Sequence, residues 1–285
     1  MRVTWEEAGW EELGPRVGRC RLPGWDCTVG LVVGEGAALM IDAGSGLREG
    51  ARLRTEARRL LGGGRVTHLA LTHPHFDHVF GAAAFAGVEV FGAVGLDRVL
   101  VDGRDELLAD AVRNGADPGE ATEAADLLVR PRHLVSGEWT LDLGGGIQVL
   151  LANAGPGHTG HDLAVFIPAS AGALGDSGGL GGSGGPGSLG GPGGSGGPSG
   201  PSGPSGPGGS WTSSPEIVFC GDLVEESGEP QAGPDAVPSR WPAALDRLLA
   251  LGGEDAVYVP GHGAAVDAGF VRAQRDALAQ RFGVS

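Results

Sequence analysis

The hydrophobic positions of this chain come in short runs closed by glycine, proline or aspartate, with longer amphipathic stretches between them. Residues 19–21 lead through Pro23-Gly24 into an apolar run at 28–33, and Gly34-Glu35-Gly36 turns the chain into a second run at 37–41. This is the pattern of a hairpin buried on at least one face. Asp42-Ala43-Gly44 closes it, and the Asp42 carboxylate at the strand end is expected to hydrogen-bond nearby backbone and shape the turn. Residues 47–61 place Leu47, Ala51, Ala57, Leu60 and Leu61 among arginines, predicting a surface helix stopped by Gly62-Gly63-Gly64. A buried strand is predicted at 66–71, an alanine-rich helix at 77–85 and a strand at 88–91. From 96 to 130 the pattern turns helical and acidic, with Asp117 as N-cap and Pro118 in the first turn of a helix running to about Val129. That segment reads either as a lid over a pocket or as a helical pair on the rim. Strands follow at 147–151 and 163–167, an amphipathic helix at 240–251, a strand at 256–259 and a last helix at 267–281.

Between 172 and 214 the chain is almost wholly Gly, Ser and Pro in broken repeats. Such a segment cannot bury enough apolar area to offset the entropy of ordering it, so it is expected to be a disordered surface insertion. It lacks the strict glycine period of a collagen helix. Its flanks, Phe166-Ile167-Pro168 and Glu216-Ile217-Val218-Phe219, read as two strands of one hairpin. The insertion is then an overgrown hairpin loop within a single domain spanning 1–285, since each doubling of loop length costs only ~0.6 kcal/mol.

Composition narrows the function classes. With 285 residues, 41% of them hydrophobic, the chain can build a large core. The formal net charge of -15 opposes a sequence-independent grip on nucleic acid or on anionic membrane, so a small-molecule substrate is expected. Every basic residue is arginine, which rules out a lysine Schiff base and a P-loop lysine. Cys20, Cys27 and Cys220 have no C-x-x-C spacing and read as reduced thiols. Met1-Arg2-Val3-Thr4-Trp5-Glu6-Glu7 lacks the character of a secretory signal and no apolar run is long enough to span a bilayer, so a cytoplasmic location is expected.

The candidate chemistry is concentrated in Thr72-His73-Pro74-His75-Phe76-Asp77-His78. Imidazole and carboxylate are ligands suited to a first-row divalent ion such as zinc. In an extended segment side chains i and i+2 share a face, so His73 and His75 can grip one ion from the same side. Asp77 and His78 need a tight turn to point at a second ion. Pro74 discourages helix at His73, so the motif reads as a loop leaving a strand. Three more polar residues, His158, Asp222 and His262, sit in glycine turns at or near predicted strand ends. If those strands are neighbours, five imidazoles and two carboxylates converge at one edge, enough for two metals with open positions for water.

These residues resemble the metallo-beta-lactamase superfamily, whose mark is T-H-x-H-x-D-H followed by a loop histidine, a bridging aspartate and a late histidine. Here the later members read Pro156-Gly157-His158-Thr159, Gly221-Asp222 and Pro260-Gly261-His262-Gly263, and the opening Ile41-Asp42-Ala43-Gly44 fits as well. The resemblance runs over about 28–262 apart from the insertion. It implies an α/β fold, a four-layer αββα sandwich with the metal edge between two sheets. Carried over by position, His73, His75 and His158 hold the first metal, Asp77, His78 and His262 the second, and Asp222 bridges. Two Zn2+ per chain are implied, with iron or manganese as alternatives. The implied reaction is hydrolysis by a shared hydroxide beside a polarised carbonyl, with Asp77 as the catalytic residue that steers the hydroxide or takes its proton.

Departures from named subfamilies narrow the reading. The beta-lactamases proper do not keep the bridging aspartate. Glyoxalase II, which the 156–159 loop resembles, carries a helical C-terminal extension with basic contacts, whereas the sequence here stops soon after His262 and has no lysine. Quorum-signal lactonases place a tyrosine where Glu225 stands, and ribonuclease Z relatives need a basic exosite. The expectation is a hydrolase of thioesters, lactones or similar acyl compounds. The rival is a glyoxalase II-like persulfide dioxygenase, an oxidoreductase using one iron, because His and Asp serve iron and zinc alike. A binding protein that keeps the scaffold without the chemistry would carry unused buried histidines at a cost in stability. Among lesser candidates, His161 and Asp162 are weighed as partners of His158 against plain turn residues. Cys220 is read as a small buried hydrophobe, His68 and His133 as structural, and Trp25, Trp139 and Tyr258 as core residues.

Overall fold

The structure, a computed structural model, describes residues 3–169 and 214–284. The insertion expected at 172–214 lies outside the described residues apart from Ser214. Strands β1 (Glu11–Gly14) and β2 (Val17–Arg21) form an N-terminal hairpin, and β3 (Thr28–Val33) and β4 (Ala38–Ile41) form the predicted one, with Gly30 opposite Ile41. From β4 onward the pattern changes to parallel strands with helical crossovers. Helix α1 (Leu47–Leu60) leads to β5 (His68–Ala70), and α2 (Phe76–Val79) to β6 (Glu89–Ala93). Then α3 (Leu96–Asp102), α4 (Arg104–Arg113) and α5 (Pro118–Asp126) lead to β7 (His133–Val135). These seven strands make one sheet in sequence order.

The second sheet is a meander of β8 (Glu138–Asp142), β9 (Gln148–Asn153), β10 (Leu163–Ile167) and β11 (Ile217–Glu225). Helix α6 (Trp241–Gly252) crosses over to β12 (Val257–His262), parallel to β11, and α7 (Ala268–Phe282) follows. Ile167 pairs with Ile217, so the two flanks of the insertion are neighbouring strands of one hairpin.

Strand alternation sorts the apolar side chains into three layers. Leu39 and Ile41 of β4 join Ala70, Phe91, Leu151, Val165 and Phe219 between the sheets. Met40 points the other way, with Leu69, against Leu53, Ala57, Leu96 and Ala111 of the helices outside the first sheet. Val218 and Tyr258 do the same on the far side, against Trp241, Leu245, Leu248 and Val271 of α6 and α7. A period of two that feeds both faces needs cover on both, and the result is the expected αββα sandwich. Helix α1 buries Gly50, Leu53, Ala57 and Leu60, the three-and-four spacing of a single apolar face, with its arginines outward. No helix among the described residues is long and apolar enough to cross a membrane.

Two expected helices come out shorter. The helix expected at 77–85 is broken after Val79 and resumes as a 3-10 turn over Ala82–Phe85. Gly81 explains the break: its N–H donates to the Gly44 carbonyl, and a Cβ there would lie 2.0 Å from the Ala43 carbonyl. Helix α5 is capped as expected, Asp117 accepting from Gly119 and Glu120 N–H, but it stops at Asp126 instead of about Val129. Leu128 and Val129 instead pack against the outer core. Helix α4 packs on α2, and α5 on α1, so the 96–130 segment braces the helices behind the motif.

Candidate metal centre

The polar residues singled out in the sequence meet where parallel strands end. Asp42 follows β4, the histidine motif follows β5, Asp222 lies in β11 and His262 ends β12. The C-terminal edge of parallel strands is where open α/β sheets place ligands. His73 and Pro74 form a bend beyond the end of β5, His75 is extended and serves as the residue before α2, and Asp77 and His78 occupy a helical turn. The Thr72 carbonyl accepts the Leu163 N–H at 2.7 Å, which pins the motif loop to the second sheet. His158 arrives in the loop between β9 and β10.

All seven residues converge, in two sets that share Asp222. Donor atoms of His73, His75, His158 and Asp222 lie within 4.8 Å of one another, and so do those of His78, Asp222 and His262. Asp222 Oδ2 is 3.6 Å from His73 Nε2, 3.5 Å from His158 Nε2 and 3.2 Å from His262 Nε2, while Oδ1 is 3.2 Å from His78 Nε2. Asp77 Oδ2 lies 3.3 Å from His262 Nε2 and 3.7 Å from His78 Nε2. Two ligands each about 2 Å from one tetrahedral ion stand about 3.3 Å apart, so these spacings fit ligand edges.

The reverse side of each ring decides which nitrogen faces inward. His73 Nδ1–H donates to Thr72 Oγ1 at 2.9 Å, whose own hydroxyl donates to Asp42 Oδ2 at 2.7 Å. His78 Nδ1–H donates to the same Asp42 oxygen at 2.9 Å. His262 Nδ1–H donates to the Trp25 carbonyl at 2.7 Å, and His158 Nδ1–H to the Gln231 carbonyl at 3.1 Å. His75 is turned the other way, its Nε2–H donating to Asp235 Oδ2 at 3.2 Å. A neutral imidazole has one N–H, so each such bond leaves a lone pair on the inward nitrogen, the arrangement in which histidine binds metal.

Three observations test whether a cation fits. His75 Nδ1 and His158 Nε2 face each other at 3.0 Å with both outer nitrogens committed as donors. Without a cation only a second proton on one ring allows that approach. His73 Nε2 is buried with no hydrogen-bond partner. So is Asp222 Oδ1, whose 3.2 Å approach to His78 lacks the alignment of a hydrogen bond. Leaving such groups unpaired costs about 1–3 kcal/mol each, and more for the charged one, so their common orientation marks a place for a ligand. Gly261 makes room for it: a Cβ there would lie 1.8 Å from Asp222 Oδ1.

Electrostatics binds the two sets together. Burial pushes the Asp222 carboxyl up, but His78, His262 and His73 beside it outweigh burial and hold it well below the usual carboxylate range. Burial pulls His262 down, yet Asp222 and Asp77 raise it to about 12. Burial dominates at His158, which falls to about 4 despite Asp222. His262 and His78 both stand above the ordinary histidine value beside the two carboxylates, so a divalent cation bound there would compete with protons for the inward nitrogens.

Several residues behave otherwise than the sequence suggests. Asp42 does hydrogen-bond backbone, but that of Thr72, thirty positions on, with Oδ1 accepting the Thr72 N–H at 2.8 Å. It holds a left-handed φ of 60° and is 2% exposed, so it serves as a buried clamp between two histidines. Cys27, read only as a reduced thiol, places Sγ 3.8 Å from His78 Nε2 and donates to the Asp77 carbonyl at 3.3 Å. Nothing in its sequence neighbourhood signals this, because the contact crosses fifty positions. Cys220 is the small buried hydrophobe expected, packed with Val218 and Trp241 in a strand that shifts register around Gly221. Asp162 takes the turn role, accepting from Thr159 N–H and hydroxyl, and His161 donates to the Val94 carbonyl. His68 and His133 pair with Thr67 and Glu89 away from the centre. Tyr258 is core, whereas Trp139 is exposed. Trp25 lines a cavity of about 140 Å³ with Ser45, Gly46, Glu49, Ala116 and Ala121. A larger one of about 180 Å³ lies by Arg16, Gln148 and Ile167, at the far ends of β10 and β11, and holds none of the clustered residues.

Comparison with known proteins agrees with this architecture. The sequence profile of the Metallo-beta-lactamase superfamily matches residues 22–173, more than half of the chain. Among solved structures, TMB-1, whose structure was described for the role of two of its residues in substrate and inhibitor binding, superposes with a TM-score of 0.59 at 18% identity, covering 96% of this chain and 97% of that one. At that identity the likeness speaks for the fold alone. No curated protein matches the chain.

Proposed function

The chain belongs to the metallo-beta-lactamase superfamily and is a metallohydrolase, and from that premise we propose a dinuclear centre, with zinc in both positions, acting on a thioester, lactone or other acyl compound. His73, His75 and His158 would hold one cation, Asp77, His78 and His262 the other, with Asp222 shared. The observation that carries this reading is the commitment of all five outer ring nitrogens to acceptors elsewhere, which turns five lone pairs towards two carboxylates. When bound, a pair of such cations supplies Lewis acidity and water that ionises near neutral pH.

The chain's own residues do the rest. Asp77 turns Oδ2 to His78 and His262, and we assign its carboxylate the proton of the attacking water. Burial pushes that carboxyl up, but His78 and His262 bring it below its ordinary value, so it is ionised and ready as an acceptor. Trp25 and Phe76 pack edge to face at 5.2 Å, next to the Trp25 carbonyl that takes the His262 Nδ1–H. The formal net charge of -15 favours neutral or cationic small molecules over nucleic acid or anionic lipid. We place the whole chain in one such domain, in the cytoplasm, with 172–214 as an insertion on the hairpin of β10 and β11.

A single-iron oxidoreductase would draw on His73, His75, His158 and Asp222 alone; the further grouping of His78, Asp222 and His262, with Asp77 Oδ2 3.3 Å from His262 Nε2, favours two ions. Elemental analysis of the purified protein is expected to find two zinc per chain, and a panel of activated thioester, lactone, ester and beta-lactam substrates to show cleavage that chelation abolishes. Hydrolysis surviving complete metal removal, or one iron per chain with oxygen uptake on a persulfide, overturns the proposal.

A further inference from the structure

The acidic segment 226–237 plays no part in the reaction proposed above, yet it holds two rings of the centre, besides the bond from the Glu226 N–H to the His262 carbonyl at 3.0 Å. The Gln231 carbonyl takes the Nδ1–H of His158 and the Asp235 carboxylate takes the Nε2–H of His75. These are the two rings whose inner nitrogens face each other at 3.0 Å. The segment is tied to the loop of His158 by a further bond, Val237 N–H to the Gly157 carbonyl at 2.9 Å. The outer acceptors of His73 and His78 belong to the body of the fold, since Thr72 and Asp42 are each 2% exposed. The Asp235 side chain is 45% exposed and the His75 side chain 22%. Packing therefore does less to fix the His75 ring than any of its buried neighbours.

His75 is also the one member of the set that presents Nδ1 inward. That nitrogen lies next to Cβ, so its direction swings with the side-chain torsions, and a proton on the wrong nitrogen removes the lone pair altogether. A carboxylate accepting from the outer nitrogen fixes the tautomer and the ring plane and makes the inner nitrogen a better donor. Resting on the two-cation reading, we propose that Asp235 is a positioning residue: by accepting the Nε2–H of His75 it sets the affinity of the cation position formed by His73, His75 and His158.

Glu229 supplies the control. It lies in the same segment and holds it down through Arg281 at 3.2 Å, but touches no histidine of the centre. The experiment takes the wild type with D235A, D235N and E229Q, all stripped of metal. Zinc affinity at each of the two positions is read by competition with a chromophoric chelator, and the coordination by visible absorption of the cobalt(II)-loaded forms. D235A is expected to weaken one position about 10–100-fold while the other stays within about twofold, and its cobalt(II) band is expected to shift. D235N keeps an acceptor oxygen without the charge and is expected to fall between, which preserves the test if D235A does not fold. E229Q is expected to match the wild type. Unchanged affinities in D235A and D235N overturn the assignment, and so does an equal loss in E229Q, which would mean that the segment acts by its docking alone. A wild type that takes up no divalent ion overturns the metallohydrolase reading and this inference with it.

Discussion

His78 and His262 lean on the body of the fold, whereas His75 and His158 lean on a surface segment. Asp42, which orients His78, is buried between β4 and the motif, and the carbonyl that orients His262 belongs to Trp25, just before β3. The acceptors of His75 and His158 both lie in 226–237, whose remaining ties are single contacts such as Arg281 to the Pro230 carbonyl at 2.8 Å. The second of the two proposed cation positions is thus assembled from the core of both sheets, α2 behind the first and the end of β12 in the second. The first needs an additional docking step of a segment that buries little apolar surface, and such segments open at lower free energy than core strands. Asp222 joins the halves, facing His73 and His158 on one side and His78 and His262 on the other.

The largest effect is expected where the halves meet. D222A should release both cations and cut hydrolysis by at least about a thousandfold, measured by metal content after gel filtration alongside turnover. Retention of one full equivalent would show the halves to be independent. Next comes the clamp of the second half. D42A leaves the Thr72 N–H and hydroxyl and the His78 Nδ1–H without their buried acceptor. It should destabilise the metal-free chain by about 3–5 kcal/mol in urea titration and weaken the second position more than the first.

The loop of His158 offers a pH test of the first half. Asp162 braces Thr159, and burial pushes its carboxyl up to about 7 against the Thr159 hydrogen bonds. The folded chain then holds a proton that the unfolded chain gives up near the ordinary value of 3.8. Unfolding free energy from this group is fully present below about pH 4 and falls as pH rises towards 7, by up to about 1.4 kcal/mol per unit. D162N should lack that decline, and parallel stability curves for the two proteins between pH 4 and 7 would refute the assignment. The smallest effect on folding is expected from G261A. Its Cβ, 1.8 Å from Asp222 Oδ1, must push the carboxylate aside, costing about 1–3 kcal/mol of stability and lowering both affinities together. Loss at one position only would show that Asp222 swings towards one half.

The sandwich and the clustering histidines and aspartates were legible in the sequence for local reasons. Alternation of apolar residues marks a strand wherever it sits, and β3, β4, α1, β10, α6 and α7 lie where the pattern predicts them. The spacing of His73, His75, Asp77 and His78 encodes part of its own geometry, a loop leaving a strand and then a helical turn, although His73 and Pro74 bend where alternation was expected. The ends of α2 and α5 were less legible, because the backbone of Gly81 is claimed by Gly44 and the residues beyond Asp126 by the core. Cys220 is buried as expected, but that it turns to Val218 and Trp241 depends on the register of β11 against β12 near Gly221, which no local pattern carries.

By itself, then, the sequence determined the inner ring of donors, since imidazole and carboxylate chemistry travels with the residue type and its spacing. Only the tertiary structure decided the outer ring. The bond from His262 to the Trp25 carbonyl spans 237 positions, and that from His75 to Asp235 spans 160. A backbone carbonyl has no sequence signature, and one surface carboxylate among many acquires its role only when folding brings an imidazole N–H within 3.2 Å of it.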